Sequence, residues 1–473
     1  MLKIYISSKL LDNLEFHPTD SQSALINLLA DFLVSGDTKE IMVIKGYAGT
    51  GKTTLVNSLV KTLAEMKQRS VLLAPTGRAA KVLFSYTGFT AWTIHKKIYK
   101  QKSGSDGLGT FVLDNNMHKD TYFIVDEASM IGTATGDSLF GSGDLLGDLL
   151  RYVDNDKNCK LVLIGDTAQL PPVGLDVSPA LDSGVLESNG WRVKEFTLTD
   201  IVRQAKDSGV LMNATLLRDH ITRSDIKIPI LNTEPFPDIE RLGGAELLEV
   251  LGDSYDRAGE DDTIVVTRSN KRANRFNAGI RSQILWREEQ ISKGDLLMVV
   301  KNNYYWKDED KKIDFIANGD IAKIERVIGF EEIYGLHFAD VTLSFLDYGG
   351  LEFDAKVMLD VLEVEGPSLP NEQQREFYHT IMEDYPELTN KKKRAEKIST
   401  DPYFNALQVK FAYAVTCHKA QGGQWKNVFL DQGYFVEDMM SMDYLRWLYT
   451  AFTRAVEKLY LVNFSDKFFK GED

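Results

Sequence analysis

The first half of the chain alternates short, wholly apolar runs, at residues 41–44, 71–74, 122–125 and 161–164, with helical or loop stretches. Runs this short, bounded by Gly, Pro, Asp and Thr, predict strands buried on both faces. With helical segments between them they predict a parallel α/β sheet spanning residues 40–196. Residues 99–119 break the rhythm with a polar, Gly-rich stretch and then Thr110-Phe111-Val112-Leu113, the pattern of an inserted hairpin. A second α/β region opens at residues 263–267 and continues through a polar helix over 273–285. Short alternating pieces at 296–300, 321–327, 341–345 and 352–358, broken by Asn318-Gly319-Asp320 and Gly349-Gly350, then predict a small β-barrel inserted into that region. Residues 371–397 are charged and helix-forming, and the runs at 409–415, 428–430 and 459–462 resume the second sheet. The expected division is a first sheet domain over 1–98 and 120–205, a hairpin over 99–119, a second sheet domain over 206–291 and 400–473, and a barrel with a charged helical segment over 292–399.

The chain's 473 residues give room for about three compact units. With 43% hydrophobic and 26% charged residues, neither a disordered nor a fibrous chain is expected. The net charge of -14 argues against coating nucleic acid by bulk positive charge, so a polyanion must bind in a locally basic groove. Lys391-Lys392-Lys393-Arg394 is the dense basic run, read as a solvated helix face. Two cysteines, Cys159 and Cys417, support neither a disulfide framework nor a cysteine zinc site. The N-terminal residues lack an apolar signal core and no stretch approaches about 18 uninterrupted apolar residues, so a cytoplasmic location without a membrane partner is expected.

Gly46-Tyr47-Ala48-Gly49-Thr50-Gly51-Lys52-Thr53 matches the full phosphate-loop pattern between the strand at 41–44 and an amphipathic helix. Gly49 and Gly51 let the backbone curl so that successive N–H groups face a phosphate. Lys52 reaches the β and γ phosphates, and Thr53 offers its hydroxyl to Mg²⁺, with Thr54 beside it. The strand at 122–125 ends in Asp126 and Glu127. Asp126 is suited to hold Mg²⁺ and Glu127 to orient and deprotonate an attacking water, a pairing that favours hydrolysis over transfer.

Further motifs follow in fixed order, and with them the chain resembles the superfamily-one, type-B DNA helicases, in particular their RecD-like and phage Dda-like branch. Pro18-Thr19-Asp20-Ser21-Gln22 resembles the adenine-reading motif, which implies a base contact for Gln22. Ala74-Pro75-Thr76-Gly77-Arg78 is similar to motif Ia and Thr93-Ile94-His95 to motif Ib, implying DNA contacts by Thr76, Trp92 and His95; Trp92 is equally readable as a core aromatic. Gly165-Asp166-Thr167-Ala168-Gln169-Leu170-Pro171-Pro172 resembles motif III, where Gln169 senses the γ phosphate. Leu198-Thr199-Asp200-Ile201-Val202-Arg203 resembles motif IV, with Arg203 on the same phosphate. Val415-Thr416-Cys417-His418-Lys419-Ala420-Gln421-Gly422 is similar to motif V, implying DNA contacts for Thr416 and His418. Tyr449-Thr450-Ala451-Phe452-Thr453-Arg454 is similar to motif VI, with Arg454 the arginine finger. Gly423 and Gln424 stand where the family often shows Ser and then Glu, so the nucleotide contact falls to the Gln424 amide.

The resemblance implies two RecA-like parallel-sheet domains of the P-loop NTPase class, with an inserted β-hairpin and an inserted Src-homology-like β-barrel. It further implies ATP and Mg²⁺ as cofactors, and single-stranded DNA and single-strand/duplex junctions as partners, with replication or recombination proteins beyond them. Travel on the strand runs 5′-to-3′, the hairpin acts as a wedge and the barrel braces it. The absence of a long extension ahead of Ser21 favours a free-standing monomer. The competing readings are a non-translocating ATP-binding subunit of a larger repair or nuclease assembly, and a phosphate-loop kinase or switch.

Overall fold

The computed structural model describes residues 1–469 apart from 15, 103–109, 134–140, 156, 202–206, 304, 307–315, 367 and 387–390. The chain opens with helices α1 (Leu2–Asp12) and α2 (Asp20–Val34), then β1 (Glu40–Gly46), α3 (Lys52–Glu65), β2 (Arg69–Ala74), α4 (Gly77–Thr87), β3 (Ala91–Thr93) and α5 (Ile94–Ile98). It continues through β4 (Tyr99–Lys102), β5 (Thr110–Leu113), β6 (Thr121–Val125), α6 (Leu145–Val153), β7 (Lys160–Gly165), α7 (Ser183–Ser188) and β8 (Arg192–Leu198). Six of these strands form one parallel sheet in the order β3-β2-β6-β7-β1-β8.

Successive strand residues leave a sheet on opposite faces, and a wholly apolar run therefore feeds two cores at once. In β1, Ile41 and Val43 join Ile94, Leu149 and Leu186 on one face, while Met42 and Ile44 join Leu25, Leu29, Leu55 and Leu59 on the other. This double covering is what the four apolar runs predict. The edge strands β3 and β8 carry no such run: Arg192-Val193-Lys194-Glu195-Phe196 is half exposed, because an edge strand buries little of its length. β4 and β5 pair antiparallel, Tyr99 opposite Leu113, as the inserted hairpin. Its root is fixed by the Tyr99 hydroxyl, which donates to the buried Asp148 of α6 at 2.7 Å.

The second half runs α8 (Gly209–Arg223), β9 (Ile239–Leu242), α9 (Leu247–Ala258), β10 (Thr263–Thr267) and α10 (Asn270–Gln283) before leaving for the barrel. The barrel holds β11 (Leu296–Val299), β12 (Ile321–Ile333), β13 (Leu336–Phe345) and β14 (Leu351–Met358). Helices α11 (Asn371–Glu383) and α12 (Lys391–Ile398) follow, and β15 (Leu407–Phe411) closes it. The chain returns with β16 (Ala414–Thr416), α13 (Cys417–Ala420), β17 (Trp425–Asp431), α14 (Met442–Phe452) and β18 (Ala455–Val462), giving a second parallel sheet in the order β16-β10-β17-β18-β9.

One boundary differs from the sequence expectation. The run at 409–415 is not one strand of the second sheet: β15 pairs with β11 and β14 and completes the barrel, beyond the expected limit at 399. The chain changes sheets at Ala412 and Tyr413, both buried, so no polar break marks the crossing. Among the described residues the barrel meets the first domain at α4 and α5. Lys81 of α4 donates to the Leu346 carbonyl at 3.0 Å, and Lys96 lies 5.9 Å from the Tyr348 ring. The hairpin tip falls on residues 103–109, outside the described residues. Among the described residues no helix is long and apolar enough to cross a membrane.

Candidate nucleotide site between the two sheets

In a parallel sheet the chemistry gathers where strands end and loops begin. The phosphate loop follows β1, Asp126 and Glu127 follow β6, and Asp166 follows β7; β7 lies between β6 and β1, so three loops converge at one edge. Gly49 and Gly51 hold φ of +73° and +80°, which side chains other than glycine strain to adopt. Gly51 is the N-cap of α3 and supplies no side-chain cap, whereas α2, α4 and α5 are each capped by a threonine hydroxyl. The leading amides of α3 are thus left for an external anion, with Thr53 exposed and Thr54 half-buried among them.

The Lys52 ammonium donates to the carbonyls of Gly46 (2.6 Å) and Tyr47 (2.9 Å) and lies 3.7 Å from Asp166 Oδ2. Asp126 accepts the Glu127 N–H at 2.9 Å and the Tyr86 hydroxyl at 2.5 Å. Glu127 sits at φ +54°, an unusual backbone for a non-glycine and one found where structure is held for function. Burial pushes its carboxyl pKa up, with the Arg454 and Lys52 charges opposing and Asp126 and Asp166 adding to the rise. Among the described residues no three His, Cys, Asp or Glu side chains cluster to hold a metal by themselves. One threonine hydroxyl and one carboxylate, with phosphates and water completing the shell, is a donor set that suits Mg²⁺.

The second sheet closes the site. Tyr449 of α14 is fully buried; its hydroxyl accepts the Ala48 N–H of the phosphate loop at 2.8 Å and donates to Asp166 Oδ2 at 2.7 Å. The next residue, Thr450, accepts the Leu170 N–H at 2.8 Å, and Gln421 donates to the Leu170 carbonyl at 2.7 Å. Ala168 and Leu170 pack into the second domain's core. Arg218 of α8 lies 5.0 Å from the Tyr47 ring, and a Cβ on Gly49 would meet Leu211 at 2.5 Å. Arg454 is 3% exposed; its guanidinium donates to the Thr450 carbonyl (3.0 Å) and the Gly423 carbonyl (3.3 Å), and its charge reaches Glu127. Gln169, whose N–H donates to the Asp166 carbonyl at 3.3 Å, is buried, and its Oε1 has no hydrogen-bond partner among the described residues.

The structure thus brings Lys52, Asp126, Glu127 and Arg454 together, with Gln169 on the loop that follows Asp166. Arg203 lies outside the described residues. Gln22 lies against the phosphate loop: its Oε1 accepts the Thr19 N–H in a capping box and its Nε2 donates to the Thr50 carbonyl, both at 3.0 Å. Each end of its amide makes one of the two bonds open to it, and Nε2 braces the phosphate loop. Gln424 is exposed, and its backbone carbonyl accepts from Arg78 of α4 at 3.3 Å, which sets it against motif Ia.

The residues expected at DNA lie at the ends of α4, β3 and β16. Thr76 N-caps α4, accepting the Ala79 N–H at 3.2 Å. A Cβ on Gly422 would come within 2.8 Å of Ala79 and 3.3 Å of Thr76 Oγ1, so motifs Ia and V meet closely. Thr416 is half-buried at the start of α13 and His418 is exposed on it. Trp92 is 38% exposed, with Lys96 5.2 Å from its ring, so it is not a core aromatic. Burial pushes the His95 pKa down to about 4, leaving a neutral ring near neutral pH. Cys417 is buried with its thiol pushed up to about 12, which makes it a packing residue.

Residues 20–228 match the AAA domain family and residues 411–462 the UvrD-like helicase C-terminal domain family. The ATP-dependent RecD2 DNA helicase of Deinococcus radiodurans is 25% identical over 89% of this chain and 46% of its own length. The chain is thus similar to this RecD2 helicase along most of its length. An uncharacterized protein of Methanocaldococcus jannaschii is 26% identical over 95% of this chain and 38% of its own length. The chain therefore spans less than half the length of these two relatives. A crystal structure of a Bacteroides Pif1 helicase with ADP-AlF3 and ssDNA aligns over 97% of this chain and 95% of that one, at 14% identity and a TM-score of 0.48. Motifs III, V and VI converge at the phosphate loop. The motifs do not single out Tyr449 or Tyr86: Tyr449 stands within motif VI without a chemical signal of its own, and Tyr86 is one residue of an amphipathic helix.

Proposed function

We propose that this chain is a RecD/Pif1-like, ATP-dependent DNA helicase that hydrolyses ATP at the seam and uses the opening and closing of its two sheet domains to travel along single-stranded DNA. The observation that carries this reading is the grip on Leu170: its N–H and carbonyl are held by Thr450 and Gln421 of the second domain, while Asp166, four residues earlier, meets the phosphate loop through Tyr449. A loop held from both sides moves when either side moves. A kinase or a simple switch has no need of such a link.

In this reading the loop amides and Lys52 bind the phosphates. Thr53 and Asp126 would hold Mg²⁺, which would supply charge neutralisation at the phosphates. Glu127 takes the proton of the attacking water at its carboxylate, and Gln169 presents its unpartnered Oε1 to that water. Arg454, and Arg203 with it, neutralise charge growing on the transferred phosphoryl group. Because Arg454 belongs to the second domain, hydrolysis is tied to closure. Thr76, Trp92, His95, Thr416 and His418 line the strand path, gripping backbone and stacking on bases. The two sheet domains, the hairpin and the barrel act as separate parts of one monomer. Travel is 5′-to-3′ and the hairpin splits the duplex, each base-pair step opposing it by about 1.4 kcal/mol.

Two assays test this reading. ATP turnover should rise when single-stranded DNA is added, and a duplex tailed at its 5′ end should be unwound while a 3′-tailed one is not. Turnover indifferent to DNA contradicts the motor, and unwinding from the 3′ tail contradicts the polarity.

A further inference from the structure

The Tyr86 hydroxyl donates to Asp126 Oδ2 at 2.5 Å, across 40 residues of sequence. Asp126 Oδ1 takes the Glu127 N–H at 2.9 Å, and the Asp126 N–H itself is anchored to the Leu73 carbonyl at 3.0 Å. Each carboxylate oxygen therefore carries one fixed donor and keeps lone pairs for a further ligand. The backbone bond from Glu127 leaves the carboxylate free to rotate about its own side-chain torsion. The tyrosine removes that freedom, because its ring is held in a helix that packs on the sheet.

That helix is α4, and its two ends do different things. Thr76 caps its first turn on the side where motifs Ia and V meet, with Gly422 in contact with both Thr76 and Ala79. Tyr86 lies in its last turn, ten residues on, which at 1.5 Å per residue is about 15 Å along the axis. Arg78, in the first turn, donates to the Gln424 carbonyl and lies 4.9 Å from the Trp425 ring, so the second domain bears on the same end. A helix this short moves as a rigid rod.

We infer that Tyr86 is a positioning residue for Asp126, holding the carboxylate in the orientation that Mg²⁺ requires, and that α4 transmits strand binding at Thr76 to that carboxylate. The inference rests on the nucleotide reading of the site. It assigns Tyr86 no contact with nucleotide or metal; it acts through Asp126. Groups that orient a metal-binding side chain typically change metal affinity or activity 10- to 100-fold when removed.

The test is Tyr86→Phe, which keeps the ring and removes the hydroxyl, beside Tyr122→Phe. Tyr122 loses a comparable bond, to the Leu33 carbonyl at 3.2 Å, away from the site. The Mg²⁺ concentration for half-maximal binding of a fluorescent ADP analogue should rise at least about 10-fold in Tyr86→Phe and stay at the wild-type value in Tyr122→Phe. The factor by which single-stranded DNA stimulates turnover should fall in Tyr86→Phe while its affinity for that DNA is unchanged. A wild-type Mg²⁺ midpoint in Tyr86→Phe overturns the inference, and a lowered melting temperature with a wild-type midpoint also overturns it by showing a purely structural hydroxyl. If the wild-type protein shows no DNA-stimulated turnover, it is the helicase reading that fails. If the wild type does and Tyr86→Phe matches it in both measurements, the inference alone fails.

Discussion

The hydroxyl of Tyr449 lies 2.7 Å from Asp166 Oδ2, joining the helix that carries Arg454 to the loop after β7. The same oxygen accepts the Ala48 N–H, so one atom from the second domain completes two polar groups of the first. Tyr449→Phe leaves the buried Asp166 short of a donor and Ala48 short of an acceptor, at a cost of about 1–3 kcal/mol for an unsatisfied buried group. Asp166 then turns to Lys52, already 3.7 Å away, and holds the ammonium back from phosphate. Urea denaturation should show the loss of stability, and titration with a fluorescent nucleotide should show weakened binding. Wild-type values in both would refute the bridge.

Lys52→Ala removes the cation of the phosphate loop but little of the fold, since its bonds run to the neighbouring carbonyls of Gly46 and Tyr47. Steady-state turnover should drop to background with the melting temperature within a few degrees of wild type. Substantial residual hydrolysis would place the phosphate elsewhere.

The hairpin is joined to the body at its root, through Tyr99 and Asp148. Replacing residues 102–109 by a tight turn that keeps the root should therefore spare single-strand-stimulated hydrolysis and abolish strand separation. Parallel loss of both activities would make the hairpin a folding element.

His95 gives a pH signature. Its pKa falls from the ordinary 6.5 to about 4 on folding, because burial disfavours the imidazolium. Between these values the unfolded chain binds the proton that the folded one refuses. Stability from this group is thus complete above about 6.5 and declines as pH falls towards about 4. His95→Gln should flatten the acid side of the stability profile relative to wild type when unfolding is followed between these limits. Superimposable profiles would mean the ring titrates normally.

Much of this arrangement was legible in the sequence, and the physics explains what was not. The strands at 41–44, 71–74, 122–125 and 161–164 announce themselves because burial on both faces demands uninterrupted apolar residues. β3 and β8 lie at the edges of the sheet, where that demand lapses. The crossing from β15 to β16 hides inside one apolar run because both the barrel and the sheet bury it. The phosphate loop is readable because glycines, lysine and threonine act within eight consecutive positions. Tyr86 and Tyr449 act on carboxylates 40 and 283 residues away, and nothing local in their surroundings encodes the partner. Gln22 shows the limit of a motif: its position matched a base-reading pattern, and the fold adds local bonds to Thr19 and Thr50 that the pattern does not encode.

Turnover by Arg454→Ala tests the central claim most directly, read beside nucleotide affinity in the presence of saturating single-stranded DNA. In the proposed mechanism the guanidinium, from the second domain, acts on charge that develops only as the phosphoryl group transfers. The variant should therefore bind a fluorescent nucleotide as wild type does and hydrolyse ATP about 10³-fold more slowly. Turnover at the wild-type rate, or equal loss of binding and hydrolysis, would contradict closure-gated catalysis at this seam.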